Sequence, residues 1–228
     1  MEKETTLISD QDFNLENWSS FLKRTEIFSE SDRQDIYFAY QLAKAAHRGQ
    51  LRANDVRYFE HIRSVVNILL DECSINDPSI IIAALLHDSM EDSAIFGNPL
   101  KQSYTEWVTI AEERLALNFG EETAGMIIDL TRPHVDNIDF HTKEQTKDFY
   151  YNKLASSSPK TILVKMADRL HNLRTQPDTP LDQQKKKVKE TREIYIPIFQ
   201  KTLIDYPKEG RILLDGIEEN IQKLQITL

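Results

Sequence analysis

The chain has 228 residues, 40% hydrophobic and 29% charged, with a net charge of −9 and a pI of about 5.2. That length suits one compact domain with a sizeable core, and six glycines and eight prolines are too few for a disordered or collagen-like chain. The acidic balance argues against nucleic-acid and anionic-membrane partners. One cysteine, Cys73, rules out an intramolecular disulfide, and MEKETTLISD has no apolar leader, so a cytoplasmic protein is expected.

The dominant period is helical, with no convincing alternating strand and no internal repeat, so the expected fold class is all-α. Residues 1–29 read as an N-terminal extension and 30–228 as the single domain. Ser31-Asp32-Arg33-Gln34 looks like a capping box, followed by Ile36, Tyr40, Ala43 and Ala46 at helix spacing. Gly49-Gln50 ends that helix, and Arg52 and Arg57 lie in the loop before a second one with Phe59, Ile62, Val66 and Leu69 on its apolar side. Asp77-Pro78 is a cap followed by proline at the first helical position, and a helix is expected over 78–92. Further helices are expected at about 105–117, stopped by Gly120, then at 121–130, 143–154, from Ser158-Pro159 onward, 181–205 and 208–225.

The stretch AALLHDSMED, residues 83–92, is unusual. An apolar run from Ile80 to Leu86 passes directly into His87-Asp88 and then Glu91-Asp92. A helix apolar all round is buried, so these groups sit where a core helix ends. Carboxylates in such a place repel one another and lose hydration. A divalent cation would offset both effects, and solvation at a helix end is the competing reading. A second segment, LVKMADRLHNLRT (163–175), puts Asp168, Asn172 and Thr175 on a polar strip opposite Leu163, Met166, Leu170 and Leu173, with His171 beside it. The strip is either a solvated face or the wall of a pocket. In a third segment, residues 45–62, His61 lies on the helix beginning near Tyr58.

Together these segments resemble the HD hydrolase domain of the RelA/SpoT family, most closely its stand-alone small alarmone hydrolases. The motifs are His47-Arg48-Gly49-Gln50 with Tyr58-Phe59-Glu60-His61, then Ala84-Leu85-Leu86-His87-Asp88 with Glu91-Asp92, then Lys165 through Thr175, and more weakly Phe119-Gly120. The resemblance covers roughly residues 30–200. It implies a multi-helix bundle with a central metal site formed by His61, His87, Asp88 and Asp168. Two nitrogens and two oxygens suit a first-row divalent ion, by family habit manganese(II), with iron and zinc left open. The resemblance also implies that Glu91 and Asp92 handle the attacking water, that Arg52 packs on the purine, and that Asn172 and Thr175 face the nucleotide. The implied reaction is hydrolysis of the 3′-diphosphate of guanosine tetraphosphate or pentaphosphate (ppGpp or pppGpp), giving pyrophosphate and GDP or GTP. No synthetase or regulatory region fits in the residues beyond the last motif.

Three departures bear on substrate more than on metal. Ala53 stands where the family has lysine, Asp55-Val56-Arg57-Tyr58 replaces Gly-x-Pro-Tyr, and the 93–118 stretch is longer than usual. Arg57 is a candidate to replace the missing lysine. The insertion reads as a surface decoration in preference to a lid. Lys185-Lys186-Lys187 reads as a solvated helix face in preference to a phosphate contact. Competing functions are phosphohydrolysis of another nucleotide, such as an adenine alarmone or NADPH, and nucleotide binding without turnover. Oligomeric state is not indicated.

Overall fold

The computed structural model describes residues 18–52, 55–100, 102–175 and 179–226. They form an all-α bundle, and among them the only β-type pairing is a single bridge between Leu51 and Arg57. In chain order the helices are α1 (Trp18–Arg24), α2 (Glu30–Ala46), α3 (Tyr58–Asn67), α4 (Pro78–Leu86), α5 (Ser89–Asp92) and α6 (Tyr104–Phe119). They continue with α7 (Glu121–Leu130), α8 (Lys143–Ser156), α9 (Pro159–Arg174), α10 (Leu181–Glu190), α11 (Ile196–Phe199) and α12 (Pro207–Ile226). No helix among the described residues is long and apolar enough to cross a membrane.

The centre of the bundle is α4. Asp77 caps it by accepting from the Ser79 N–H, Pro78 fills its first position, and every residue from Ile80 to Leu86 is buried. It packs against α2, α3, α7 and α9, which is why no polar face survives on it. Each buried Ile or Leu adds about 1.5–3 kcal/mol of transfer free energy, so this short helix is held by its surroundings more than by its own hydrogen bonds. The other central element, α9, is capped by Ser158 and begins with Pro159, as the sequence suggests. Its apolar stripe meets α12 at Gly216, where a Cβ would lie 3.2 Å from the Leu170 methyl groups. A side chain there would require the Leu170 side chain to give by a few tenths of an ångström.

Several sequence expectations change. The α2 cap is Ser29, not Ser31. Its hydroxyl accepts from the Asp32 N–H, and Ser31 is already one residue inside the helix. The 78–92 helix is two helices, because the backbone turns at His87-Asp88. The 181–205 helix is interrupted by a π-helical turn at Thr191–Tyr195 and ends in a 3-10 turn. Gly120 has positive φ (82°) as expected, but with ψ 160° it is both the end of α6 and the cap of α7. The 93–118 insertion is no decoration: α6 buries Trp107, Ala111 and Leu115 completely and packs along α7. In the N-terminal segment, Phe21 is fully buried against the Tyr40 ring, 4.9 Å between centroids.

Candidate active site

His87 and Asp88 join α4 to α5 with the backbone still in the right-handed helical region (His87 φ −57°, ψ −32°; Asp88 φ −103°, ψ −4°), and both side chains reach groups on α3 and α9. His87 Nε2 lies 3.0 Å from Asp88 Oδ2, and His61 Nε2, arriving from α3, lies 3.6 Å from the same oxygen. From α9, Asp168 Oδ1 lies 3.3 Å from His61 Nε2 and 3.9 Å from His87 Nε2. The four side chains that the motifs single out therefore meet, and His61, His87 and Asp88 each offer a ligand atom within 4.8 Å of the others.

These residues fit a divalent cation. The His87 Nδ1–H donates to the Ala84 carbonyl (2.8 Å), which leaves the Nε2 lone pair facing the carboxylates. That buried nitrogen has Asp88 Oδ2 at 3.0 Å but no hydrogen bond of good geometry, a costly state unless something binds it. His61 shares its other nitrogen, Nδ1, with His171 Nδ1 at 2.7 Å. Burial and the adjacent His61 push His171 down to about 3, so it is a neutral partner. Burial also opposes charge on His87, yet Asp88 and Asp168 outweigh it and lift that imidazole to about 9. The local potential therefore strongly favours a positive charge. Ligand atoms about 2.1 Å from an ion and at right angles lie roughly 3 Å apart, close to the shorter separations seen here.

The motif around Gln50 holds the next turn in place. The His47 Nδ1–H donates to Gln50 Oε1 (2.8 Å), and the Gln50 amide donates to the Asp92 carbonyl (2.7 Å). Tyr58 stacks on His47, 4.7 Å between centroids, and donates its hydroxyl to Asp88 Oδ2 (2.8 Å). Glu91 Oε2 accepts from the Arg132 backbone N–H (3.1 Å), and the Glu91 carbonyl accepts from His134 Nε2–H (2.7 Å). Burial raises the Glu91 carboxyl, with the Arg132 charge opposing. Asp92 is exposed and is not among the residues lining the adjoining cavity, and loss of hydration with the charges of Asp88 and Glu91 brings its carboxyl up to about 6.

Asp88, Glu91 and Asp168 open into a cavity of about 470 Å³. On its α9 side Arg52 Nη2 donates to Asn172 Oδ1 (2.7 Å), and the Asn172 amide donates to Asp168 Oδ1 (2.5 Å). The lining is also rich in base, with Lys165 and Arg169 from α9 joined by Arg132, Lys147, Lys186 and Lys187. Matching residues 39–202, the HD domain family accounts for most of the sequence. The chain belongs to the HD domain family.

The relatives of this HD domain are RelA/SpoT-type proteins, as the motifs suggest. It is 32% identical to a GTP pyrophosphokinase of Streptomyces coelicolor over 169 residues, covering 74% of this chain and 18% of that protein. It is 30% identical to a guanosine-3′,5′-bis(diphosphate) 3′-pyrophosphohydrolase of Haemophilus influenzae over 170 residues, 73% of this chain and 22% of that protein. The chain thus aligns with about a fifth of these curated relatives. Among solved structures, a metazoan ortholog of SpoT that hydrolyses ppGpp superposes with a TM-score of 0.55 at 26% identity, covering 83% of this chain and 94% of the other.

Not every sequence candidate reaches the cavity. The Thr175 hydroxyl turns back to the His171 carbonyl (3.1 Å) and closes the last turn of α9, and Thr175 is not among the cavity's lining residues. Arg57 pairs with Glu60 at 2.6 Å and is not among the residues lining the cavity. Ala53 lies outside the described residues. The lysine run at 185–187 is more than a solvated face, because Lys186 and Lys187 line the cavity. Sequence reasoning passed over Tyr58, Arg132, Lys165 and His171 as site residues. Tyr58, Lys165 and His171 are inside the quoted motifs, whereas Arg132 showed only as a helix stop before Pro133.

Proposed function

We propose that this chain hydrolyses the 3′-diphosphate of guanosine tetraphosphate or pentaphosphate, releasing pyrophosphate and GDP or GTP, with manganese(II) as its metal. The observation that carries the reading is the pairing of a four-residue ligand cluster with a basic wall in one cavity of a protein whose net charge is −9. A basic pocket set against the overall field suits a ligand with several phosphoryl groups. The names of the HD relatives support the same substrate class.

In this reading the water oxygen adds to the phosphorus carried on the ribose 3′-oxygen. That P–O bond breaks, the 3′-oxygen takes up a proton, and pyrophosphate departs. Glu91 and Asp92 stand one turn beyond Asp88 and take the water's proton. The Arg132 N–H fixes the Glu91 carboxylate, and Gln50 fixes the Asp92 backbone, so neither base must be ordered during the reaction. Arg52 and Asn172 hold the nucleoside end. Arg52 lies 6.0 Å from the Tyr58 ring centroid and keeps its buried Nη1 without a partner. A divalent cation bound by His61, His87, Asp88 and Asp168 would polarise the phosphoryl group and acidify a bound water.

Incubating purified protein with ppGpp and manganese, then separating products by chromatography, tests the proposal. GDP and pyrophosphate in equal amounts are expected, and no release at saturating protein would sink it. The adenine counterpart and NADPH belong in the same panel. Turnover of one of these, with orthophosphate as product, would move the assignment to another nucleotide. Binding of ppGpp without any product would make the chain a non-catalytic binder.

A further inference from the structure

The geometry points to a subsite for the distal phosphoryl group of a diphosphate, built by Arg132, Lys165 and the Tyr195 hydroxyl. For the orientation of the nucleotide this rests on the hydrolase reading above. Three observations carry it. Tyr195 is fully buried and lines the cavity, and although Arg169 packs on its ring and interacts with it, the hydroxyl has no partner at good hydrogen-bond geometry. Buried polar groups are almost always paired, so an orphan hydroxyl at a cavity wall marks the place of a ligand atom. Arg132 lines the same wall with its guanidinium carbon 5.0 Å from the Tyr150 ring centroid. Its Nε is buried without a partner, and among the described residues no carboxylate lies within ion-pair distance of it. Lys165 bridges to the metal cluster, with Nζ 2.8 Å from Asp168 Oδ2 while Asp168 Oδ1 faces the two histidines.

The neighbouring cation shows the contrast. Arg169 lies against the Tyr195 ring, 3.8 Å from its centroid, but both of its terminal nitrogens are 3.1 Å from Glu190 Oε2. Its charge is matched by a direct ion pair, whereas Arg132 has only the field of Glu91 and no carboxylate at ion-pair distance among the described residues. A phosphoryl group held at the ligand cluster therefore has Lys165 beside it. A second phosphoryl, joined through a bridging oxygen, reaches the unpaired guanidinium and the free hydroxyl. Charge-assisted hydrogen bonds of this kind are the strong ones, and an arginine fork matches phosphate oxygens in geometry. A 3′-monophosphate would leave these donors empty. The subsite thus selects a diphosphate over a monophosphate.

Two variants separate the possibilities. Tyr195→Phe removes one oxygen and keeps the ring that packs on Arg169, and Arg132→Gln removes the charge. Calorimetry with inorganic pyrophosphate and with orthophosphate, at matched free manganese, reads the subsite directly. KM for ppGpp against that for guanosine 5′-diphosphate 3′-monophosphate reads it in turnover. Each variant should weaken pyrophosphate about tenfold and leave orthophosphate unchanged, the loss expected for one hydrogen bond to a charged group. Variants that bind pyrophosphate as the wild type does, or that lose both anions equally, would overturn the inference. Selective pyrophosphate binding in a wild-type protein that turns over no nucleotide would support the subsite while refuting the hydrolase reading. Turnover of ppGpp with unchanged variants would do the reverse. If Arg132→Gln fails to fold by circular dichroism, Tyr195→Phe alone decides.

Discussion

The two ends of the cavity solve the problem of buried charge in different ways. At one end, carboxylates and imidazoles from α3, the α4–α5 turn and α9 crowd together, with Lys165 as the one ion-pair cation within reach of Asp168 among the described residues, and with the Tyr58 hydroxyl and the Asn172 amide as neutral donors. At the other end, arginines and lysines from α8, α9, α10 and the loop after α7 outnumber the acids near them, Glu190, which serves Arg169 and lies 3.7 Å from Lys147, and Glu91 beside Arg132. Each end is left with a surplus of one sign. The protein is thus built to be completed twice, by a cation at the first end and by an anion at the second. Neither surplus would persist in a purely structural core, where unmatched buried charge costs several kcal/mol per ion.

Four measurements break or sharpen that contrast. The largest effect belongs to Asp88→Ala, which removes an oxygen shared between both histidines. Metal content by elemental analysis should fall to background, and kcat/KM should drop by about a thousandfold or more. Next is Glu91→Gln. It should keep the metal and lower kcat by about 10²- to 10⁴-fold, as expected when a positioned base is lost, so metal content and rate are to be measured on the same preparation.

The third concerns the basic end alone. Burial raises the Glu190 carboxyl, but Arg169 and the Tyr151 hydroxyl outweigh it and bring it down to about 2. Because the folded value lies below the ordinary one, the pair's stabilisation is complete above about pH 4.5 and is lost as pH falls toward 2. Glu190→Gln should cost about 2 kcal/mol at neutral pH and flatten the acid limb of a urea-melt series over that window. An acid limb identical to that of the wild type would remove Glu190 from the account. The smallest effect is that of Lys187→Ala. Loss of hydration lowers this amine to about 8, and it lines the cavity half-buried. KM for ppGpp should rise about fivefold at low salt, and the difference should shrink at high salt as screening removes it.

Legibility in the sequence follows the same division. The acidic end was readable because its groups stand in short motifs at helix ends, where an apolar run meets charge with no turn residue between. Even there, the junction between α4 and α5 is one that periodicity does not reveal, since nothing in Leu86-His87-Asp88-Ser89 is a helix breaker. The basic end was not readable. Lys187 stands in a lysine run that reads equally as a solvated helix face, Arg132 and Tyr195 are single residues in ordinary surroundings, and only tertiary packing brings them to one cavity. The cap at Ser29 was missed for a local reason: Ser29, Ser31 and Asp32 all suit a helix start, and the choice among them falls to how Phe28 and Ile36 pack, both being buried. The burial of Trp107 was missed because a long connection was taken as ornament, when its helix supplies part of the core.

One helix, α9, carries Lys165, Asp168, Arg169 and Asn172, and so reaches both ends of the cavity. Lys165 and Asn172 are seven residues apart, about 10 Å along a helix axis. A loop bearing the same groups would stretch to suit its guest, but two turns of hydrogen-bonded backbone clamped by α12 do not. On the proposed hydrolase reading, the rod is a gauge: it sets a fixed interval between the amine of Lys165 and the amide of Asn172, and a nucleotide whose phosphoryl and nucleoside ends are spaced otherwise fits less well.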